Sequence, residues 1–472
     1  MAGERVDAIG VAPQNRGASA IANMMFLDAA PGEQNVNQQV ECRHQQSCGS
    51  LVAERALSGR GPSLWRHALL AHRAARFYAT TIEADSHGFM LQSDESGKHI
   101  ETRLSKIWLR DNCRCKQCVN QDTMQRNFNT FEIPDDIAAK EVVPDSEGVE
   151  VLWSDSHKSS YTWAWLQSTL PSGENKTLSN DVGKRLWNGS IAASAPEVAF
   201  EDVMNTNDKT GMADLTDKIR AYGLCFVANT PKTPEATNEL LESIGPVRHT
   251  HYGGFYDFVP DLAKADTAYT NLALAAHTDT TYFTEPAGLQ AFHMLSHTPP
   301  PNRPSAKGTL GGKSLLVDGF YAAHRLRRES PDDFNVLCKT RIPWHASGNE
   351  GIAIAPDRAY PVLEARGRML RRVRWNNDDR GVVPLDVDVD KWYRAARKWD
   401  EILKRKQNEY WFQLEPGRVL IFDNWRVLHG RSVFEGLRRI CGGYINRDDF
   451  ISRWKTTNFP TEDVIAANMQ LR

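Results

Sequence analysis

No stretch of this 472-residue chain approaches the roughly 18 consecutive apolar residues that a membrane-spanning helix needs, so the expectation is a soluble protein. Neither sign of charge dominates. Against 57 basic residues stand 59 acidic ones, a formal net charge of -2, and no field builds up that would draw the whole molecule to nucleic acid or an anionic membrane. Small-molecule partners are the expectation that remains. Cysteine is scarce as well: eight in a chain of this length are too few for a disulfide scaffold, and three of them crowd into one short stretch, which points to metal chemistry in a reducing compartment. There is no internal repeat. What the chain does have, 41% hydrophobic and 25% charged residues, is ample for a packed core, with one large domain and a smaller one as the natural division.

Residues 1 to about 53 are rich in Gly, Ala, Asn and Gln with weak periodicity and read as disordered; Cys42 and Cys48 lie there. From Arg55 to Ile82 acidic residues are missing altogether, while Arg55, Arg60, Arg66, Arg73 and Arg76 punctuate a segment in which Leu64, Trp65, Ala68 and Leu69 can share a helix face. That is the make-up of a mitochondrial presequence, with a processing site near Tyr78 or Ala79. The competing reading is a basic surface helix in a cytoplasmic protein. Residues 1–79 are thus expected to form a disordered targeting region. Residues 80–190, where short alternating stretches such as KIWLR, VEVLW and SSYTWAWL are separated by Asp, Gly, Ser and Pro, read as a small β-rich domain. Residues 191–472 follow as a catalytic domain. In it a helical pattern through Met212, Leu215, Ile219 and Tyr222 stops at Gly223, and LCFVAN, GLQAFHML, KSLLVDGF and RVLIFDNWRVLHG read as strands. DKWYRAARKWDEILKRKQ places Trp392, Ala395, Ala396, Trp399, Ile402 and Leu403 on one helix face. Many strands with a few flanking helices make a mainly β domain, a sandwich or jelly roll rather than a parallel α/β sheet. HTPPPNRPSAKGTLGG is expected to be an exposed loop between two of its strands.

Chemistry concentrates in a few places. In AAHTDTTYF, His277 and Asp279 stand two apart, so on an extended segment both side chains point to the same side and can grip one metal ion. His429, at the end of an apolar strand in NWRVLHGR, can be brought back to them by a folded sandwich. Two histidines and one carboxylate form a facial triad that leaves positions open for a chelating co-substrate and dioxygen, the geometry of non-haem Fe(II) oxygenases. A His-x-Asp pair alone is weak, because most such pairs are hydrogen-bonded turn residues. The arginines after His429 strengthen it: 2-oxoglutarate carries a second carboxylate that needs a planar, permanently charged partner. GLRRICGGYINRDD supplies Arg438 and Arg439, and strand parity turns Arg438 inward with Tyr444. Separately, Cys113, Cys115 and Cys118 in DNCRCKQC, with His157 in SDSHKSS, make a closed tetrahedral donor set suited to structural zinc.

From about residue 100 to the end the chain resembles the family of Fe(II)/2-oxoglutarate oxygenases that act on γ-butyrobetaine and trimethyllysine, through LRDNCRCKQC, DTAYT, HTDTTYF, LLVDGFYAA, PGRVLIFDNWRVLHGR and CGGYINRDD. The resemblance implies a double-stranded β-helix catalytic domain behind a small zinc-binding domain. It maps iron onto His277, Asp279 and His429, the 2-oxoglutarate carboxylate onto Arg438, and zinc onto Cys113, Cys115, Cys118 and His157. HTDTTYF and WNNDDR are closer to the trimethyllysine member, since the butyrobetaine member usually carries a proline shortly after HTD. The family's cage for a quaternary ammonium, which cannot donate hydrogen bonds and is held by aromatic faces, falls on Tyr252, Tyr256, Tyr269 and Tyr444. Asp266 is a counter-charge there and Asn376 a polar substrate contact. Residues 1 to about 80 have no counterpart in the family, and the proline-rich loop near 298–312 departs from its shorter link.

The resemblance therefore implies hydroxylation of trimethyllysine at C3, with dioxygen consumed, succinate and CO2 released and ascorbate as reductant, as the first step of carnitine biosynthesis in the mitochondrial matrix. A homodimer is left open. The rivals are the same chemistry on γ-butyrobetaine, the last step of that pathway, and a non-catalytic zinc-stabilised binding protein.

Overall fold

The computed structural model describes residues 80–469 apart from 96–97, 171–182, 260–270, 301, 304–309, 349 and 368. The expected targeting segment up to Ala79, with Cys42 and Cys48, lies outside the described residues, as do Asp266, Tyr269 and residues 301 and 304–309 of the proline-rich loop. No helix among the described residues is long and apolar enough to cross a membrane.

Two three-stranded antiparallel sheets open the described chain: β1 (Thr80–Asp85), β2 (Gly88–Glu95) and β3 (Lys98–Leu104), then β4 (Ala139–Pro144), β5 (Gly148–Trp153) and β6 (Lys158–Thr162). Alternation decides their faces. Phe89 and Leu91 on β2 and Val149, Val151 and Trp153 on β5 point into one shared core with Leu109 and Leu166. Two stretches expected as strands are helical. KIWLR lies in the helix Lys106–Asp111, which buries Leu109 and Arg110 and leaves Ile107 and Trp108 half-exposed. So short a run fits a helix as well as a strand, and the contact of Leu109 with the core settles it. In SSYTWAWL the strand ends at Thr162, whose hydroxyl accepts from Trp165 N and caps the helix Trp163–Ser168.

The second, larger part has a double-stranded β-helix. Its strands are β7 (Glu197–Ala199), β8 (Leu224–Ala228), β9 (Tyr256–Phe258), β10 (Leu274–His277), β11 (Leu289–Thr298), β12 (Ser314–Asp318), the hairpin β13 (Leu363–Arg366) and β14 (Met369–Val373), β15 (Tyr410–Phe412), β16 (Arg418–Asp423), β17 (Val427–Arg431) and β18 (Leu437–Ile445). A six-stranded sheet runs β7, β8, β16, β11, β18, β9 and a four-stranded sheet runs β10, β17, β12, β15. Leu224, Phe226, Leu420 and Phe422 from the first meet Leu316 and Val427 from the second in an inner core. The alternate residues face outward. Cys225, Val227, Val419 and Ile421 pack under the helices Thr210–Tyr222, Pro234–Ile244 and Arg447–Asn458, and Leu315, Val317 and Leu428 pack under Gly319–Glu329, Pro331–Lys339 and Val389–Leu403. The last of these buries all six residues expected on its apolar face.

RVLIFDNWRVLHG is two strands in different sheets. The chain turns at Asn424–Arg426, where the Arg426 guanidinium donates to Asp318 through Nε (3.1 Å) and Nη2 (2.8 Å) and to the Ala221 carbonyl at 2.9 Å. Gly223, at φ +80°, ends the helix before it; a Cβ there would meet Arg426 Cδ at 2.9 Å, so glycine gives the arginine its room. KSLLVDGF likewise changes at Asp318, which caps the helix Gly319–Glu329 by accepting from Phe320 N at 3.0 Å.

Candidate functional site

The antiparallel register of β10 with β17 sets His277 directly opposite His429, and their ring centroids lie 4.3 Å apart. Asp279 follows β10 and returns its Oδ1 to both: 3.2 Å from His277 Nε2 and 3.7 Å from His429 Nε2. Octahedral ligands about 2.1 Å from a metal sit about 3 Å apart on adjacent vertices, so these three side chains fit one face of a six-coordinate ion. His277 Nδ1 donates to the Ala275 carbonyl at 2.8 Å, which leaves Nε2 as the acceptor that a metal requires. Burial pushes His429 down to about 3, so its ring is neutral and can ligate.

The loop that carries Asp279 is held from several sides. Asn424, in the turn before β17, accepts from Asp279 N at 2.8 Å and donates to the Asp279 carbonyl at 3.0 Å. Thr280, at φ +56°, is in the left-handed region and keeps that conformation because its hydroxyl accepts from Ala287 N at 2.8 Å. The Asp279 Oδ2 atom accepts from Gln290 Nε2 and from the Tyr444 hydroxyl, each at 2.7 Å. Gln290, Asn424 and Thr280 were not singled out from sequence. Only Gln290 carried a signal, as an amide at an inward parity position of an apolar strand.

A cavity of about 190 Å³ opens in front of the triad. At one end lies Arg438, 1% exposed, whose Nε and Nη1 find no hydrogen-bond partner among the described residues. Burial and the neighbouring Arg431 charge push it down to about 10, still cationic at neutral pH. A buried cation of this kind calls for an anion. Arg439 points the other way and pairs with Asp257, with Nε donating at 2.9 Å. Tyr252, Tyr256 and Tyr444 line the cavity, joined by Tyr282, which sequence reasoning missed. Tyr256 and Tyr444 meet edge to face at 6.0 Å, and the Tyr256 hydroxyl donates to the Ala291 carbonyl. Gly442, on the strand of Tyr444 and directly opposite Tyr256, leaves the space: a Cβ there would stand 2.0 Å from the Ala291 carbonyl oxygen and 2.9 Å from the Tyr256 hydroxyl. Asn376, Asp378 and Asp379 complete the wall.

Apart from this cavity, Cys113, Cys115 and Cys118 bring their sulfurs to 3.3, 3.6 and 3.4 Å from His157 Nε2. A tetrahedral zinc with bonds of about 2.3 Å to sulfur and about 2.0–2.1 Å to nitrogen would separate such ligands by about 3.5 Å, so the donor set fits that ion. Arg110 steadies it, donating to Cys118 Sγ at 3.5 Å and to Asp155 at 3.0 Å.

Residues 179–444 match the family model described as taurine catabolism dioxygenase TauD, TfdA family, and residues 83–167 match that of the gamma-butyrobetaine hydroxylase-like N-terminal domain. The trimethyllysine dioxygenase of Neurospora crassa is 53% identical over 421 residues, covering 83% of this chain and 88% of that protein. That of Meyerozyma guilliermondii is 39% identical, covering 77% of this chain and 93% of that one. The Homo sapiens protein called trimethyllysine dioxygenase, mitochondrial, is 39% identical, covering 74% and 82%. With one family model spanning more than half of its length and a 53% identical relative over most of the rest, the chain belongs to the trimethyllysine dioxygenase family of TauD/TfdA dioxygenases.

Proposed function

We propose that this dioxygenase hydroxylates C3 of N6,N6,N6-trimethyllysine, with His277, Asp279 and His429 holding Fe(II) and Arg438 receiving the distal carboxylate of 2-oxoglutarate. The observation that carries the reading is the juxtaposition, in one tyrosine-walled cavity, of a triad of donors with a buried arginine whose Nε and Nη1 find no partner among the described residues. Bound iron, 2-oxoglutarate and dioxygen supply the oxidising power: one oxygen atom leaves in succinate with CO2 released, and the other becomes the C3 hydroxyl. The chain's own part is to bind and orient. Arg438 offers a charge-assisted pair that fixes the co-substrate's far end. Tyr252, Tyr256 and Tyr444 present aromatic faces on which a trimethylammonium can rest without a hydrogen-bond donor, and they keep water from the reacting carbon. Asn376 is at hand for the polar end of the amino acid. Ascorbate would keep the iron ferrous, and Cys113, Cys115, Cys118 and His157 would hold a structural zinc. The human relative's name supports a mitochondrial location and a place at the first step of carnitine biosynthesis.

The test is to incubate the protein with Fe(II), ascorbate, 2-oxoglutarate and trimethyllysine. Succinate should appear in step with a product one oxygen heavier at C3, and Asp279→Ala should yield neither. Succinate without a hydroxylated amine, or undiminished turnover by Asp279→Ala, would contradict the assignment.

A further inference from the structure

We propose that Gln290 and Tyr444 are positioning residues that clamp the outer oxygen of Asp279, holding it as a one-oxygen metal ligand, and that Tyr444 links this ligand to the occupancy of the aromatic pocket. A carboxylate beside a metal can bind through one oxygen or two. Asp279 presents Oδ1 to both histidine nitrogens, at 3.2 and 3.7 Å, while Oδ2 accepts two short hydrogen bonds of 2.7 Å from different side chains. Hydrogen bonds to a charged acceptor are the strong ones, and two of them occupy the lone pairs of Oδ2. A second bond from Oδ2 to the ion would have to break them, and it would also fill a coordination position. The facial triad needs its three remaining positions for a chelating co-substrate and dioxygen.

The fold supplies both donors together. Gln290 on β11 and Tyr444 on β18 are direct cross-strand partners, so their side chains leave the same inner face side by side. Gln290 is 2% exposed and Tyr444 7%, so neither donor is shared with bulk water. Tyr444 also brings an aromatic face to the cavity. Its hydroxyl is on the metal carboxylate while its ring lines the cavity edge to face with Tyr256. A cation resting on that ring draws electron density from the phenol oxygen and makes the hydroxyl a better donor to Oδ2. Arrival of a quaternary ammonium therefore tightens the clamp. This second half rests on the proposed substrate, whereas the first half holds for any substrate.

Two measurements separate the halves. Mn(II) affinity of the intact chain, followed by electron paramagnetic resonance without substrate, should fall about 10- to 100-fold in Gln290→Leu and in Tyr444→Phe. Tyr256→Phe, whose hydroxyl is spent on a carbonyl, should retain parental affinity. Thermal unfolding of each variant serves as the check on folding. Succinate formed per hydroxylated trimethyllysine should then rise above the parental ratio in Tyr444→Phe, with KM for the amine kept within about threefold because the ring remains. Parental Mn(II) affinity in both clamp variants at parental melting temperature would overturn the clamp. Weakened metal binding with an unchanged succinate-to-product ratio would overturn the link to the pocket alone.

Discussion

Two neighbouring arginines show how much a single side chain's surroundings decide. Arg438 is buried without an anion among the described residues, and Arg439 sits at the surface with Asp257. Arg438→Met should raise KM for 2-oxoglutarate by the equivalent of about 2–5 kcal/mol while moving that for the amine little. Arg439→Met removes a screened surface pair and should leave both stability and KM nearly unaltered. Steady-state kinetics of the two variants side by side check both, and equal effects would remove Arg438 from its role. Tyr252→Leu should weaken trimethyllysine by about 1–2 kcal/mol and leave 2-oxoglutarate binding unchanged, measured by titration calorimetry. The side chains that the fold gathers were legible as candidates because each carried a local signal: spacing for His277 and Asp279, parity for Arg438, cysteine crowding for the second cluster. Asn424 and Tyr282 had none. An asparagine in a turn and a tyrosine in a polar loop occur everywhere, and Asn424 gains its partner only where β17 returns beside β10.

Among the elements, the helix Val389–Leu403 was readable because its apolar period persists over four turns. KIWLR was not, since so few residues fit either period and tertiary contact chose the helix. The double strand in RVLIFDNWRVLHG was hidden for another reason: the turn that divides it contains no glycine or proline and depends on Arg426 reaching Asp318 far away in sequence. The short helix Lys106–Asp111 leads into the cysteine cluster, so losing one ligand should loosen that whole part before it touches chemistry. Cys115→Ser is expected to bring zinc content well below one per chain and lower the melting temperature, as metal analysis and calorimetry would report. Glu329, the last residue of the helix Gly319–Glu329, pairs with Arg405, just past the end of Val389–Leu403, through two contacts of 2.8 Å. Arg405 brings the Glu329 carboxyl down to about 2 from its ordinary 4.5. The stability it gives, about 1–2 kcal/mol after screening, is complete above pH ~4.5 and is lost as pH falls toward ~2. Glu329→Gln should flatten that part of the acid-unfolding curve.

For the molecule as a whole, a nearly balanced net charge goes with a cavity lined by both signs, Arg431 and Arg438 beside Asp279, Asp378 and Asp379. Such a division suits a dianionic co-substrate and a cationic amine bound together. It also sets a length. In trimethyllysine the quaternary nitrogen stands further from the reacting carbon than in γ-butyrobetaine by two methylene groups, so an aromatic pocket fixed relative to the metal cannot place C3 of both equally well. The measurement that bears most directly on the account is the pair of specificity constants for trimethyllysine and γ-butyrobetaine, obtained in parallel with Fe(II), ascorbate and 2-oxoglutarate at saturation. The account predicts preference for trimethyllysine by at least about two orders of magnitude. Equal constants, or a preference for γ-butyrobetaine, would contradict it.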